Sequence, residues 1–174
     1  MATTQTGAQR SQTPESQTQK ITTFLWFDGN AEEAVNFYTS VFKNSKTHNI
    51  VRYGESGPGA KGSVMIIEFE LDGEQFTAIN GGPEFKFTEA ISLVVHCQTQ
   101  DEVDYYWEKL VEGGGQHIEC GWLKDKFGLA WQITPDIFLE LLRTSDEKKK
   151  DRVMKAMMKM KKLDIKQIQE AAKG

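Results

Sequence analysis

Cysteine is nearly absent from this chain of 174 residues, with Cys97 and Cys120 the only two. A disulfide framework is therefore not what holds it together, and free thiols are expected. The N-terminus lacks the basic-then-apolar order of a secretory signal, so export is not expected and a cytoplasmic location is. Long apolar runs are missing as well, and nothing approaches the length needed to cross a bilayer. Positive charge is not in excess: 21 Lys and Arg face 25 Asp and Glu, for a formal net charge of -4. A nucleic-acid partner thus has no electrostatic support beyond local lysine clusters. What remains is an ordinary globular composition, 39% hydrophobic and 26% charged, long enough for one domain or two small fused modules with a real core.

Residues 1–20 are rich in Thr, Gln and Ser and carry almost no apolar side chains, which predicts a disordered tail. After it, one plan occurs twice. Residues 21–83 read as a strand (Ile21 to Phe27), an aromatic-rich helix and three further strands, and residues 84–135 repeat the order. In the first module Asp28 or Asn30 is placed to cap the helix, Glu32 and Glu33 favour its dipole, and Ala34, Phe37, Tyr38 and Val41 form its buried stripe. Asp72-Gly73 predicts a tight hairpin turn between Val64–Leu71 and Gln75–Ile79. In the second, Thr99 or Asp101 starts the helix, Gly113 to Gly115 stops it, and Val103, Trp107 and Leu110 face inward. Residues 136–174 predict a short helix followed by one longer helix broken near Asp164, with Val153, Met157 and Met160 as a narrow apolar stripe. The expected fold class is α+β: two paired βαβββ modules forming a curved mixed sheet around a cleft, plus C-terminal helices.

Three separated segments carry a family likeness: WFDGNAEEAVNFYTSVF at Trp26 to Phe42, AINGGPEFKF at Ala78 to Phe87, and CGWLKDKFGLAWQI at Cys120 to Ile133. The chain resembles the vicinal oxygen chelate superfamily of glyoxalases, extradiol dioxygenases and bleomycin-resistance proteins. Within it, the chain is most similar to the PhnB-like family that bears the name 3-demethylubiquinone 3-methyltransferase. The resemblance implies a homodimer and a cleft that binds a small, partly apolar molecule. If the protein is an enzyme, it implies a lyase, isomerase or oxidoreductase of that superfamily. An antibiotic-sequestering resistance protein is the other alternative.

Enzymes of the superfamily hold a divalent metal, and the resemblance places the four ligand positions at Thr23, Ala78 or Asn80, Ala90 and Gln132. Alanine has no donor atom, threonine is a poor ligand and neutral amides bind weakly, so no metal is expected. The set His96, Cys97, His117 and Cys120 is no better, because strand neighbours point to opposite faces. Methyl transfer would need a glycine-rich nucleotide turn in a strand-helix unit, which is missing, so no cofactor is expected. With Thr23 as the marker of the cleft face, strand alternation assigns Thr23, Leu25, Phe27, Phe76, Ala78, Asn80, Ala130 and Gln132 to the lining, and Phe24 and Trp26 to the helix side. Asp125 and Lys126 read as a turn between strands or as a gate at the cleft mouth. No catalytic residue can be named.

Overall fold

The computed structural model describes residues 19–174, so nearly all of the tail expected at 1–20 lies outside the described residues. The order is β1 (Thr23–Phe27), α1 (Ala31–Val41), β2 (Lys46–Arg52), β3 (Val64–Leu71), β4 (Glu74–Asn80), β5 (Ser92–Cys97), α2 (Gln100–Lys109), β6 (Gln116–His117), β7 (Trp122–Lys124), β8 (Ala130–Pro135), α3 (Asp136–Thr144), α4 (Glu147–Met157) and α5 (Ile165–Lys173). The fold is α+β, two βαβββ modules followed by three helices. Each module forms its own four-stranded mixed sheet, ordered β1-β4-β3-β2 and β5-β8-β7-β6. In both, the first strand runs parallel to the last and occupies an edge, while the other pairings are antiparallel.

Local chemistry explains most of the elements. Asp72 and Gly73 both take positive φ, 48° and 88°, which is the two-residue hairpin turn their identities favour. Thr99 and Glu102 form a reciprocal capping box at the start of α2, so two orphan donors are satisfied at once. Helix α1 is capped differently from expectation. Asn30 makes no side-chain cap; the Asn80 side-chain Oδ1, arriving from β4, accepts from the Ala31 amide at 2.9 Å.

One apolar core runs through both modules. Helix α1 covers its sheet with Ala31, Ala34, Val35, Tyr38 and Val41, and α2 with Val103 and Trp107. The helix sides of the two modules face each other: Phe42 stacks on Tyr106 of the second module (5.1 Å between ring centroids) and on Trp131 (5.4 Å). The Tyr105 hydroxyl donates to the Val41 carbonyl. Within one chain, then, the modules join through their helix faces, and the opposite faces of both sheets are left outside.

This arrangement corrects the face assigned to β1. Leu25, Phe27 and Ala78 are buried in the core under α1, while Phe24 is exposed and lies on the outer face with Trp26. All five residues of β1 except Thr23 are large and apolar, so alternation alone does not say which side meets the helix. The rest of the sheet decides it: Ile67, Phe69 and Ala78 share the side of Leu25 and Phe27 and are buried with them, whereas Glu68 and Thr77 share the side of Phe24 and Trp26.

The C-terminal segment is also more broken than expected. Helix α4 ends at Met157, and α5 begins after Asp164, whose carboxylate accepts from the Gln167 amide. Met160 is buried but lies beyond the helix, so it does not extend a helical stripe. Its carbonyl accepts from the Cys120 amide, and that of Lys161 from Gly121, which pins this loop to the second module. Phe138, Leu141, Val153, Met157, Met160, Leu163 and Ile168 form a second, smaller core.

Candidate ligand-binding site

Strand register defines the two outer faces. On the first sheet, Trp26, Ile79, Ile66 and Val51 form one row across β1, β4, β3 and β2, with Phe24, Thr77, Glu68 and Asn49 beside it. On the second, Val94, Gln132 and Trp122 form a row across β5, β8 and β7, flanked by His96 and Thr134 on one side and by Ser92, Ala130, Lys124 and Gln116 on the other. Phe24 and Val94 are exposed, 55% and 43%, although the C-terminal helices cover part of the second face beside Gln132.

Three cavities take up the residues expected to line one cleft, and they do not bring those residues together. Asn80 borders a cavity of about 570 Å³ at the end of the first sheet, with Asp28, Glu32, Arg52 and Glu84 around it. Both ends of its side-chain amide are engaged by backbone, the oxygen accepting from the Ala31 amide and the nitrogen donating to the Val64 carbonyl at 3.0 Å. Phe76 borders a cavity of about 330 Å³ between the modules, beside Phe42, Leu93, Tyr106 and Trp131. Gln132 borders a third, of about 250 Å³, where the outer face of the second sheet meets the C-terminal helices. Leu25, Phe27 and Ala78 are core residues that line none of these three; Thr23 is exposed at the start of β1, and Ala130 is buried on the same face as Gln132.

Asp125 and Lys126 border none of these three cavities. Asp125 is 3% exposed and accepts from the Tyr38 hydroxyl, the Trp131 indole N–H and the backbone amides of Phe127 and Leu129, all within 2.8–3.0 Å. It organises the turn of which it is part. Burial pushes its carboxyl above the usual aspartate range, against the lowering effect of those four donors. Burial and the nearby carboxylate raise the Tyr38 phenol well above its ordinary value. Lys126 pairs with Glu33 at 2.6 Å and lies over the rings of Phe37 and Phe127, fastening the turn to α1.

The thiols and imidazoles are dispersed. Cys97 is buried in the core with its thiol pushed up to about 12 by desolvation, and His96 bonds to Asp136 at 3.0 Å. His117 stacks flat on Trp107 and approaches the Trp107 carbonyl at 3.0 Å. Among the described residues no three His, Cys, Asp or Glu side chains converge as a metal site would require. The superfamily's ligand positions fit a metal no better within the chain: Thr23, Asn80 and Gln132 border different parts of the surface, and both Asn80 amide groups are spent on backbone.

Sequence reasoning missed Trp122 and Thr134 as neighbours of Gln132 on the outer face. Thr134 was within reach, since it continues the alternate series Ala130, Gln132 along β8; Trp122 needed the β7–β8 register.

The family model described as 3-demethylubiquinone-9 3-methyltransferase matches residues 19–134. The chain belongs to this family. A PhnB protein from Bacillus cereus, carrying the same family description, is 44% identical, with a TM-score of 0.62, over 67% of this chain and 99% of its own. The protein PA1353 from Pseudomonas aeruginosa shares the fold at 20% identity and a TM-score of 0.57, over 68% of this chain and 98% of its own. A glyoxalase/bleomycin resistance protein from Albidiferax ferrireducens T118 aligns over 65% of this chain and 95% of its own at 13% identity, with a TM-score of 0.38. No curated protein matches. The methyltransferase description is at odds with the architecture of the PhnB-like chain. Its glycines do not form a nucleotide turn between the strand and helix of a doubly wound parallel sheet; the β1–α1 connection is Asp28-Gly29-Asn30, and each sheet has a single parallel pair. The residues present do not fit S-adenosylmethionine held in that way.

Proposed function

We propose that this PhnB-like protein binds a small, partly apolar molecule in a cleft enclosed by the outer sheet faces of two copies of the chain. The observation that carries the reading is the join through helix faces, which turns both sheets outward with Phe24, Trp26, Val94 and Trp122 on them. Among the described residues, edge strands β1 and β5 are also unpaired on one side, and a second copy offers a complementary strand for each. Binding alone satisfies this role, and neither a metal nor a methyl donor is needed for it.

Sedimentation velocity tests the reading. The wild-type chain is expected to run as a dimer, and the double variant Phe24→Glu with Val94→Glu as a monomer of unchanged secondary structure. A wild-type chain that is monomeric at tens of micromolar concentration overturns it. Elemental analysis separates the metal-dependent alternative, which requires about one divalent ion per chain.

A further inference from the structure

The third cavity is completed by residues that the family model does not reach. That match ends at residue 134, whereas Phe138, Leu139 and Met157, together with Leu163, wall the cavity opposite the sheet. The sheet side offers Trp122, Gln132 and Thr134. Thr134 is 8% exposed; its hydroxyl takes part in no hydrogen bond among the described residues and keeps access to solvent. Gln132 uses its amide N–H on the Ser92 hydroxyl at 2.8 Å, which leaves its carbonyl oxygen free to accept. Trp122 faces Gln132 directly across the strand pair. No aspartate, glutamate, lysine or arginine lines the space, and the single imidazole, His96, is bonded to Asp136 outside it.

We propose that this cavity is a binding subsite for a neutral, flat aromatic molecule carrying a hydroxyl or amide, and that the C-terminal extension sets the size it admits. The apolar walls supply burial for a ring. Gln132 and Thr134, two positions apart on β8 and so on one face, supply an acceptor and a hydroxyl for its polar group. A charged molecule loses its hydration here without gaining a counter-ion. The proposal deepens the reading above and rests on it for the function of the outer face, but the subsite itself is complete within one chain.

Saturation-transfer NMR on the full chain, with phenol and benzamide as neutral probes and benzoate and benzylamine as charged ones, tests it. The neutral pair is expected to bind at least about tenfold more tightly than the charged pair. Thr134→Val should weaken phenol by about fivefold, the worth of one hydrogen bond. Leu139→Trp, which fills the space from the extension, should abolish binding while leaving the fold intact by circular dichroism. Phe24→Glu alone, which leaves the lining of the cavity unchanged, separates the two ideas: probes that still bind to a monomer uphold the subsite independently of the dimer. No probe binding at millimolar concentration, equal binding of neutral and charged probes, or a folded Leu139→Trp protein with undiminished binding overturns the subsite even where the dimer is found.

Discussion

The Tyr38 hydroxyl donates to the Asp125 carboxylate at 2.8 Å, joining residues 87 positions apart and tying helix α1 to the β7–β8 turn. The Trp131 indole N–H donates to the same carboxylate oxygen at 2.9 Å. Asp125 is thereby the polar centre of the contact between modules.

Removing that centre should be costly. Asp125→Ala leaves a phenol, an indole N–H and two backbone amides without their acceptor, and is expected to lower stability by about 3–5 kcal/mol. Tyr38→Phe removes one donor from a carboxylate that keeps three, and should cost about 1–2 kcal/mol. Urea unfolding of both variants checks the order; equal losses would show that the phenol alone carries the contact.

The pH dependence has a definite sign. Burial raises the Asp125 carboxyl, so the folded chain binds this proton more readily than the unfolded chain does. Its contribution to stability is fully present below the ordinary aspartate value of about 3.9 and is lost as pH rises through the raised folded value. Asp104, Asp146 and Asp164 act oppositely: hydrogen bonds from Lys162 and from the Lys149 and Gln167 amides hold them low. Their contribution fades as pH falls, but it is common to wild type and Asp125→Asn and cancels in the comparison. The stability of wild type relative to Asp125→Asn should therefore rise between pH 7 and 4. A difference that stays flat would mean that Asp125 does not titrate differently in the two states.

Asn80 is predicted to be a structural amide. Asn80→Ala removes the acceptor that caps Ala31 and the donor to Val64, and should cost about 2 kcal/mol. Amide exchange in the first turn of α1 should quicken with it. Unchanged stability and exchange would release Asn80 for the ligand role that its sequence position suggests.

Truncation after Thr144 should destabilise the protein although the deleted segment is rich in lysine. It uncovers Phe138 and Leu141, and deletes Val153, Met157, Leu163 and Ile168 from the second core. It also removes the Gln100 contacts to Leu163 and Ile165 and the Lys162–Asp104 pair. The loss is on the order of several kcal/mol, visible as a lower melting temperature. A truncated chain that melts with the full one would make the segment an appendage.

Much of this fold can be read in the sequence because its cues are local. The Thr99–Glu102 box, the Asp72-Gly73 turn and the stripe of Val103, Trp107 and Leu110 each lie within a few residues. The face of β1 is not legible in that way, since Phe24, Leu25, Trp26 and Phe27 are apolar on both sides and the choice is made by the strands beside it, through Ile67, Phe69 and Ala78. Asp125 presents the opposite difficulty. In WLKDKFG it reads as a solvated turn residue, and its principal partner, Tyr38, is supplied by the other module. The C-terminal helices could be foreseen as packed, but not that they would meet Gln132, because no sequence period links an extension to the outer face of a sheet.

Phe42, at the end of helix α1, lies against both Tyr106 and Trp131, so the first module completes the hydrophobic interior of the second. Each βαβββ unit is a repeat in sequence but half a unit in energy. Opening the exposed segment at residues 88–91, beyond the Phe87 ring that packs on Phe27, would cut the backbone between the modules, and the two halves would be expected to remain together and to melt in one transition. A mutation in α1 thus loosens β8 as well as its own sheet, and neither module can acquire substitutions in its interior without altering the cooperativity of the other.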